Sequence, residues 1–282
     1  MKVIQSIQEM QQQMRIMKKQ GYEIGFVPTM GYLHEGHLTL VEQARRENDV
    51  VVMSIFVNPL QFGPNEDFER YPRDFERDER LAEEKGVDFL FYPHMDDMYP
   101  EGFSIKMTVE NRVNVLCGES RPGHFDGVVT VLAKLFNIVL PDRAYFGMKD
   151  AQQVAVVEGL IADYNFPVKL VPVKIIREQD GLAKSSRNVY LTDKERSEAP
   201  QLFRSLQQAA TTIEAGERVV KKIIDSIRKN IDKNTSGKID YVEILSYPDL
   251  ETLTVLEGRF IIALAVQFER ARLIDNITIT LE

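Results

Sequence analysis

The chain has a single cysteine, Cys117, among its 282 residues, so no internal disulfide can form and a reducing cytoplasm is the expected setting. It has no uninterrupted apolar run of the roughly 18 residues that a membrane-spanning helix needs. Its first residues lack the continuous apolar segment of a signal peptide. Positive charge is not in excess either: 35 Lys and Arg stand against 43 Asp and Glu, for a formal net charge of −8. That excludes the basic footprint of a nucleic-acid-binding surface. No two of the 16 glycines are separated by one residue, so the G-x-G-x-x-G dinucleotide fingerprint is absent, and no G-x-x-x-x-G-K-S/T phosphate loop occurs. No cysteine–histidine cluster or H-E-x-x-H string suggests a zinc site. Any phosphate chemistry must rest on a few placed residues.

What is present is an ordinary globular composition, 44% hydrophobic and 28% charged, in a length that fits two domains or one large α/β unit. Val3, Ile4, Ile7, Met10, Met14 and Met17 recur at helical spacing, which predicts an amphipathic surface helix at the start. Apolar, β-branched stretches at 24–28, 50–57, 87–91, 142–146 and 168–176 read as strands. Between them, 37–48, 74–85, 127–139 and 151–164 read as helices, with Gly86 closing the second of these. Strands alternating with helices imply a doubly wound parallel sheet of Rossmann-like type. The last hundred residues give helical patterns at 192–215 and 219–231, then strand patterns at 239–245, 259–266 and 271–281. That order predicts a smaller α+β domain, with residues 1–176 forming the first domain and 177–282 the second.

In an open parallel sheet, ligands sit beyond the carboxyl ends of the strands. Four loops have unusual composition. The first runs through Met30, Gly31, Tyr32, Leu33, His34, Glu35, Gly36 and His37. Its two histidines are three apart at the start of a helix, where free N–H groups attract anions. This predicts a phosphate-recognition corner with both imidazoles neutral until an anion arrives. The second holds Asn58 and Gln61 beside Phe62, neutral polar groups suited to a small hydroxylated carboxylate, in a segment that also reads as a turn. The third, Gly147, Met148, Lys149 and Asp150, offers a cation and a carboxylate for phosphate or ribose, with Asp150 also a candidate helix cap. The fourth, Lys184, Ser185, Ser186, Arg187 and Asn188, sets cations and hydroxyls together as in a polyphosphate clamp.

A histidine corner early in an α/β domain and a lysine–serine loop after its last strand resemble the nucleotidyltransferase superfamily. The strings PTMGYLHEGHLTLV, FVNPLQF, RPGHFDGV, FGMKDAQQ and REQDGLAKSSRN together resemble the pantothenate synthetase (pantoate–β-alanine ligase) family, over essentially the whole chain. The resemblance implies ATP-dependent condensation of (R)-pantoate with β-alanine through a pantoyl adenylate, with Mg²⁺ assisting. It implies that residues 30–37 bind ATP, with His34 and His37 on its phosphates and His37 the proton donor. It further places Gln61 at pantoate and β-alanine, Gln153 at pantoate, and residues 147–150 at the adenosine. Ile176 goes to the adenine and Lys184 to Arg187 to the pyrophosphate. Asn58 is expected as a further pantoate contact, and no carboxylate is singled out for Mg²⁺. On this reading the first domain binds nucleotide and pantoate, the second closes over ATP, and the enzyme is a cytoplasmic homodimer without nucleic-acid or membrane partners. Met148 stands where the family has an acidic residue and Lys184 where it has methionine. His124, in the third string, reads as loop-closing. The competing expectations are a cytidylyltransferase-type enzyme that keeps the nucleotide on its product, and a non-catalytic binding module on the same fold.

Overall fold

The computed structural model describes residues 1–63 and 68–281. The chain divides into two compact units. Met1–Glu110, Ser120–Met148 and Val156–Lys174 form the first; Asn111–Glu119, Lys149–Ala155 and Ile175–Glu282 form the second.

The first unit is built on six strands: β1 (Lys2–Ile4), β2 (Ile24–Thr29), β3 (Val50–Ile55), β4 (Phe89–Phe91), β5 (Arg143–Gly147) and β6 (Lys169–Val173). They lie in the order β1-β4-β3-β2-β5-β6, and every pairing is parallel. The helices between them in the chain are α1 (Ile7–Lys19), α2 (Glu35–Glu47), α3 (Phe75–Glu84), α4 (Met95–Met98), α5 (Leu116–Ser120), α6 (His124–Val139) and α7 (Ala151–Asp163), of which most of α5 and the first residues of α7 belong to the second unit. All six residues of β3 are buried, as a central strand covered on both faces requires. Leu38, Val41 and Ala44 of α2 share one core cluster with Val27, Val51, Met53 and Leu90 of the sheet. The doubly wound architecture expected from the sequence is present.

The start of the chain departs from the expected helix. Val3 and Ile4 pair with β4 as an edge strand, and α1 begins only after Ser6, whose hydroxyl accepts from Glu9 N at 3.3 Å. The Ser6 cap ends extended backbone and starts the helix, so the apolar residues on either side of it obey different periods. Met10 and Met14, on the helical side, are fully buried.

The chain direction through the sheet reverses between β2 and β5, and there the sheet comes apart. The β2–β3 ladder holds six pairs, to Thr29↔Ile55, and the β5–β6 ladder five, to Gly147↔Val173. The β2–β5 ladder holds only Gly25↔Arg143 and Phe26↔Ala144. Ile24 O accepts from Asp142 N on the β5 side, whereas Thr29 O accepts from Phe56 N on the β3 side. Alternate residues of a strand direct their backbone groups to the same neighbour, so the nitrogen of Pro28 faces β5. Proline has no hydrogen to donate, and the next rung cannot form. Beyond Phe26↔Ala144 the two strands do not pair, and their carboxyl ends form the topological switch point, where ligands bind in sheets of this kind.

In the second unit the helices α8 (Asp193–Glu198), α9 (Gln201–Glu214) and α10 (Val220–Asn234) precede β7 (Lys238–Ser246), β8 (Arg259–Gln267) and β9 (Arg272–Thr280). The strands form an antiparallel sheet in the order β7-β8-β9. Its core joins Leu206 of α9 and Ile223 and Ile227 of α10 to Phe260, Ile262 and Leu264 of β8. The single helix expected over 192–215 is two helices, because Pro200 cannot continue the hydrogen-bond ladder of α8. The strand expected over 168–176 stops at Val173, and the following residues turn into a hairpin. Among the described residues, no helix is long and apolar enough to cross a membrane.

Replacing Pro28 with valine supplies the missing donor. The expected result is one further β2–β5 rung and a strongly protected amide at position 28 in hydrogen exchange. A fast-exchanging amide there would show that something else ends the ladder.

Candidate functional site

The loop leaving β2 runs directly into the N-terminus of α2, whose N-cap is His34. His34 Nδ1 accepts from Gly36 N at 3.1 Å, and His37 Nδ1 accepts from His34 N at 3.4 Å. This is a capping box in which imidazoles replace the usual hydroxyl and carboxylate. The rings stack with centroids 4.1 Å apart and 27° between planes. A ring nitrogen that accepts an amide hydrogen carries none itself, so this network assigns both histidines as neutral, with the hydrogen on Nε2. Gly36 makes room for the fold-back, since a Cβ there would lie 2.8 Å from His34 Cε1. Leu33 and Leu38 flank the cap and bury in the same core cluster, a hydrophobic staple that fixes how the loop enters the helix.

The same loop is held from below by Asp78 of α3, which is 1% exposed. Its carboxylate accepts from Tyr32 N at 2.6 Å and Leu33 N at 2.7 Å. Burial pushes the Asp78 carboxyl above the usual aspartate range, although the Leu33 and Tyr32 amides and the Arg77 guanidinium pull it back. A charge that costs desolvation is retained here for its two bonds. Beside it lies a cavity of about 260 Å³ bordered by Met30, Tyr32, Phe56 and Tyr92, so packing on that side gives the loop little support. No motif announced Asp78. The available signal was a carboxylate on the apolar stripe of α3, in step with Phe75 and Ala82.

Beyond β3, Asn58 is fully buried and caps the short 3-10 turn Pro59–Gln61. Its Nδ2 donates to Gln61 Oε1 and to Gly127 O, both at 2.9 Å. Its Oδ1 accepts from Leu60 N at 3.3 Å and Tyr99 Oη at 2.8 Å. Asn58 therefore uses its hydrogen-bonding capacity inside the protein, and what it does is orient Gln61. With Oε1 pinned, Gln61 keeps its Nε2 amide as donor. His124 Nδ1 lies 2.8 Å from Gln61 O, and Arg121 Nη2 donates to the same oxygen at 3.2 Å. Position 127 on α6 must be small, because a Cβ there would meet Leu60 O at 2.3 Å. Gly147 ends β5 and Met148 follows it, on the other side of the switch point from residues 30–37, which follow β2.

The remaining expected residues belong to the second unit. At the start of α7 the two adjacent glutamines differ. Gln152 is buried, donates to Arg112 O and Val115 O at 2.9 and 2.8 Å, and accepts from Cys117 N at 3.0 Å. Gln153 is half-buried. Asp150 is exposed and ends a 3-10 turn, Met148–Asp150, that runs straight into α7. Residues 176–184 form a hairpin in which Lys184 N donates to Ile176 O at 2.9 Å and Glu178 N to Leu182 O at 2.8 Å. Ile176 and Lys184 therefore lie opposite each other at its open end. Ser185 Oγ accepts from Arg187 N at 3.2 Å, starting the 3-10 turn Ser186–Tyr190, and Arg187 is exposed.

Comparison with known proteins places this geometry. The family model for pantoate-beta-alanine ligase matches residues 2–278. Pantothenate synthetase of Geobacillus kaustophilus is 64% identical over 279 residues, 99% of this chain and 93% of that protein. That of Bacillus cytotoxicus is 61% identical over 282 residues, the full length of both. Among solved structures, a Thermus thermophilus pantothenate synthetase superposes with a TM-score of 0.92 at 46% identity, covering 98% of this chain and 99% of that one. A Francisella tularensis pantoate-beta-alanine ligase, complexed with beta-gamma ATP and beta-alanine, superposes with a TM-score of 0.80 at 34% identity, covering 98% and 97%.

Removing the Asp78 carboxylate leaves two buried amides without an acceptor, at about 1–3 kcal/mol each. Asp78→Ala is expected to lose at least about 2 kcal/mol in urea unfolding on that basis. A loss below half of that would mean that the loop finds other acceptors and that Asp78 does not hold it.

Proposed function

The chain belongs to the pantoate–β-alanine ligase family, and from that premise we propose that the switch point between β2 and β5 is where its reaction is run. The enzyme condenses (R)-pantoate with β-alanine at the cleavage of ATP, giving pantothenate, AMP and pyrophosphate. A carboxylate is a poor acyl donor until one of its oxygens becomes part of a good leaving group. In the proposed first step the pantoate carboxylate attacks the α-phosphorus and pyrophosphate departs, which makes the acyl group an adenylate. In the second, the β-alanine amine attacks the acyl carbon and AMP departs. Full-length similarity to pantoate–β-alanine ligases supports this reading over a cytidylyltransferase-type enzyme that keeps the nucleotide on its product.

One observation carries the assignment of residues: two neutral imidazoles, locked by backbone amides into the Nε2–H form, stand at a helix N-terminus on the switch point. Donors fixed in place where negative charge develops need no reorganisation during the reaction. In this reading, His34 and His37 donate Nε2–H hydrogen bonds to phosphate oxygens, and His37 faces the charge that develops as pyrophosphate leaves; a neutral imidazole keeps its proton there, so His37 acts as a hydrogen-bond donor and not by transferring the proton. The rest of residues 30–37 supply backbone contacts to ATP. Gln61, oriented by Asn58, donates to pantoate and β-alanine, and Gln153 holds pantoate. Residues 147–150 take the adenosine, Ile176 the adenine, and Lys184, Ser185, Ser186 and Arg187 the pyrophosphate. Catalysis is then positioning and charge stabilisation.

Mg²⁺ belongs to the proposal as part of the ATP substrate. It is held chiefly by phosphate oxygens and water, for which no protein cage is required. The Asp74 carboxylate accepts from Arg77 N at 3.2 Å as the cap of α3, and no protein ligand is assigned. Cytoplasmic residence, suggested by the lone cysteine, and homodimeric assembly, suggested by the family, complete the reading.

Supplied with ATP, Mg²⁺, pantoate and β-alanine, the enzyme is expected to form AMP only when both organic substrates are present. His37→Ala should lower kcat about 10²- to 10³-fold, the scale of removing one donor to a developing anion, while the variant still folds. Unchanged turnover in a folded His37→Ala variant would overturn the assignment.

A further inference from the structure

Two neighbouring residues of β9 break its pattern. Leu273, Ile277 and Ile279 pack on the apolar core of the second unit. Side chains two apart in a strand share a face, so Asp275 is a carboxylate on the core side, 3% exposed. Its partner is Arg177, whose Nη1 and Nη2 donate to Oδ2 and Oδ1 at 2.7 and 2.9 Å. Asn276 N donates to Oδ1 at 2.8 Å. The guanidinium carbon of Arg177 sits 3.5 Å from the centroid of the Phe203 ring, and Nη1 also donates to Gly181 O at 3.1 Å. A buried pair of this kind adds little stability over apolar side chains of the same shape. Its presence at a core position is better explained by what it holds.

It holds the hairpin. Arg177 lies on the first arm, bridged to Ala183 of the second, and its side chain reaches Gly181 at the turn. One fork therefore ties both arms to β9. The next residue works on the opposite side of the strand: Asn276 Nδ2 donates to Lys149 O at 3.0 Å. Adjacent residues of one strand thus fasten both second-unit segments assigned above to ATP, the turn at Lys149 and Asp150 and the hairpin that presents Ile176 and leads into residues 184–187.

We infer that Asp275 and Asn276 form a two-sided anchor that sets the spacing of these two nucleotide-binding segments, with Arg177 as the arm to the hairpin. All three are positioning residues: they act through the loops and touch no substrate. The inference rests on the proposed ATP role of residues 149–150, 176 and 184–187.

The test is the double variant Arg177→Met, Asp275→Leu, which keeps apolar bulk and removes both charges. Its unfolding midpoint should equal or exceed that of the parent. The KM for ATP should rise about 10- to 100-fold, the scale of a small misplacement of binding groups. The KM values for pantoate and β-alanine should stay within about twofold, since only the nucleotide contacts move. Asn276→Ala, which releases the turn leading into α7, should also raise the KM for ATP, whatever it does to pantoate through Gln153, and it serves as the test if the double variant does not fold. A folded double variant, or a folded Asn276→Ala variant in its place, with an unchanged KM for ATP would overturn the anchor. Arg187→Ala separates this from failure of the site reading. If Arg187→Ala raises the KM for ATP while the anchor variants do not, the anchor alone is wrong. If Arg187→Ala also leaves it unchanged, the hairpin does not bind nucleotide, and both fall.

Discussion

Pro28 has no amide hydrogen, and the strand that carries it borders the one place in the first unit where the sheet changes direction. In a parallel sheet with both faces covered by helices, a ligand is met beyond the carboxyl ends of the strands, at the switch point. Between β2 and β5 the ladder stops after Phe26↔Ala144, short of those ends. Two of the segments assigned to the first unit's site leave the sheet there, while Asn58 and Gln61 follow β3. Residues 30–37 leave β2 past Thr29, Gly147 and Met148 leave β5, and the start of α2 brings its amides to the switch point. The double-histidine cap converts that helix end into a pair of directed Nε2–H donors.

A second regularity links the two units. Loops lie outside the ladders, so ladder bonds cannot hold them; buried polar side chains do so instead. Asp78 grips Tyr32 and Leu33, Asn58 grips the turn carrying Gln61, and Asp275 grips Arg177 and, through it, the hairpin. Each sits where packing alone would favour an apolar residue. Each also has its bonds satisfied within the protein, which keeps the desolvation penalty from becoming a net loss. Their contribution is geometric. A site built from backbone amides and ring nitrogens depends on loop positions, and a second layer of buried polar groups keeps those positions fixed.

That layering explains how much could be read from the sequence. The alternation of β-branched runs with helical patterns exposed the doubly wound sheet, and the change of order after residue 176 exposed the second sheet. The misses had local causes. Val3 and Ile4 fit a helical period that Ser6 interrupts, and Pro200 splits one helical pattern into two. In the site, the residues proposed to meet substrate were visible because they cluster in short strings beyond predicted strands, two histidines three apart at 34 and 37 and cations beside hydroxyls at 184–187. The supports were not. Asp78 lies in FERDERLAEE, where one acidic residue resembles the next and only a partner 46 positions away distinguishes it. Asn276 likewise acts on a carbonyl 127 positions distant. His34 escaped as a cap because capping preferences centre on Ser, Thr, Asp and Asn.

The two positions at which the resemblance leads one to expect other residues, 148 and 184, follow the same logic. What the hairpin takes from position 184 is the main-chain N–H that bonds to Ile176 O, which lysine and methionine supply alike. The added cation has a counter-charge on the hairpin itself, since Lys184 Nζ lies 3.9 Å from Glu178 Oε2. Met148 opens a 3-10 turn, again a demand on backbone and not on a particular side chain. Arg177 is the opposite case. Its two terminal nitrogens make three hydrogen bonds, and its planar face lies on Phe203. A lysine there would keep the charge and lose the fork. Within one short string, then, tolerance is set by which part of each residue is used: positions read through the backbone can change, and a position read through a planar fork cannot.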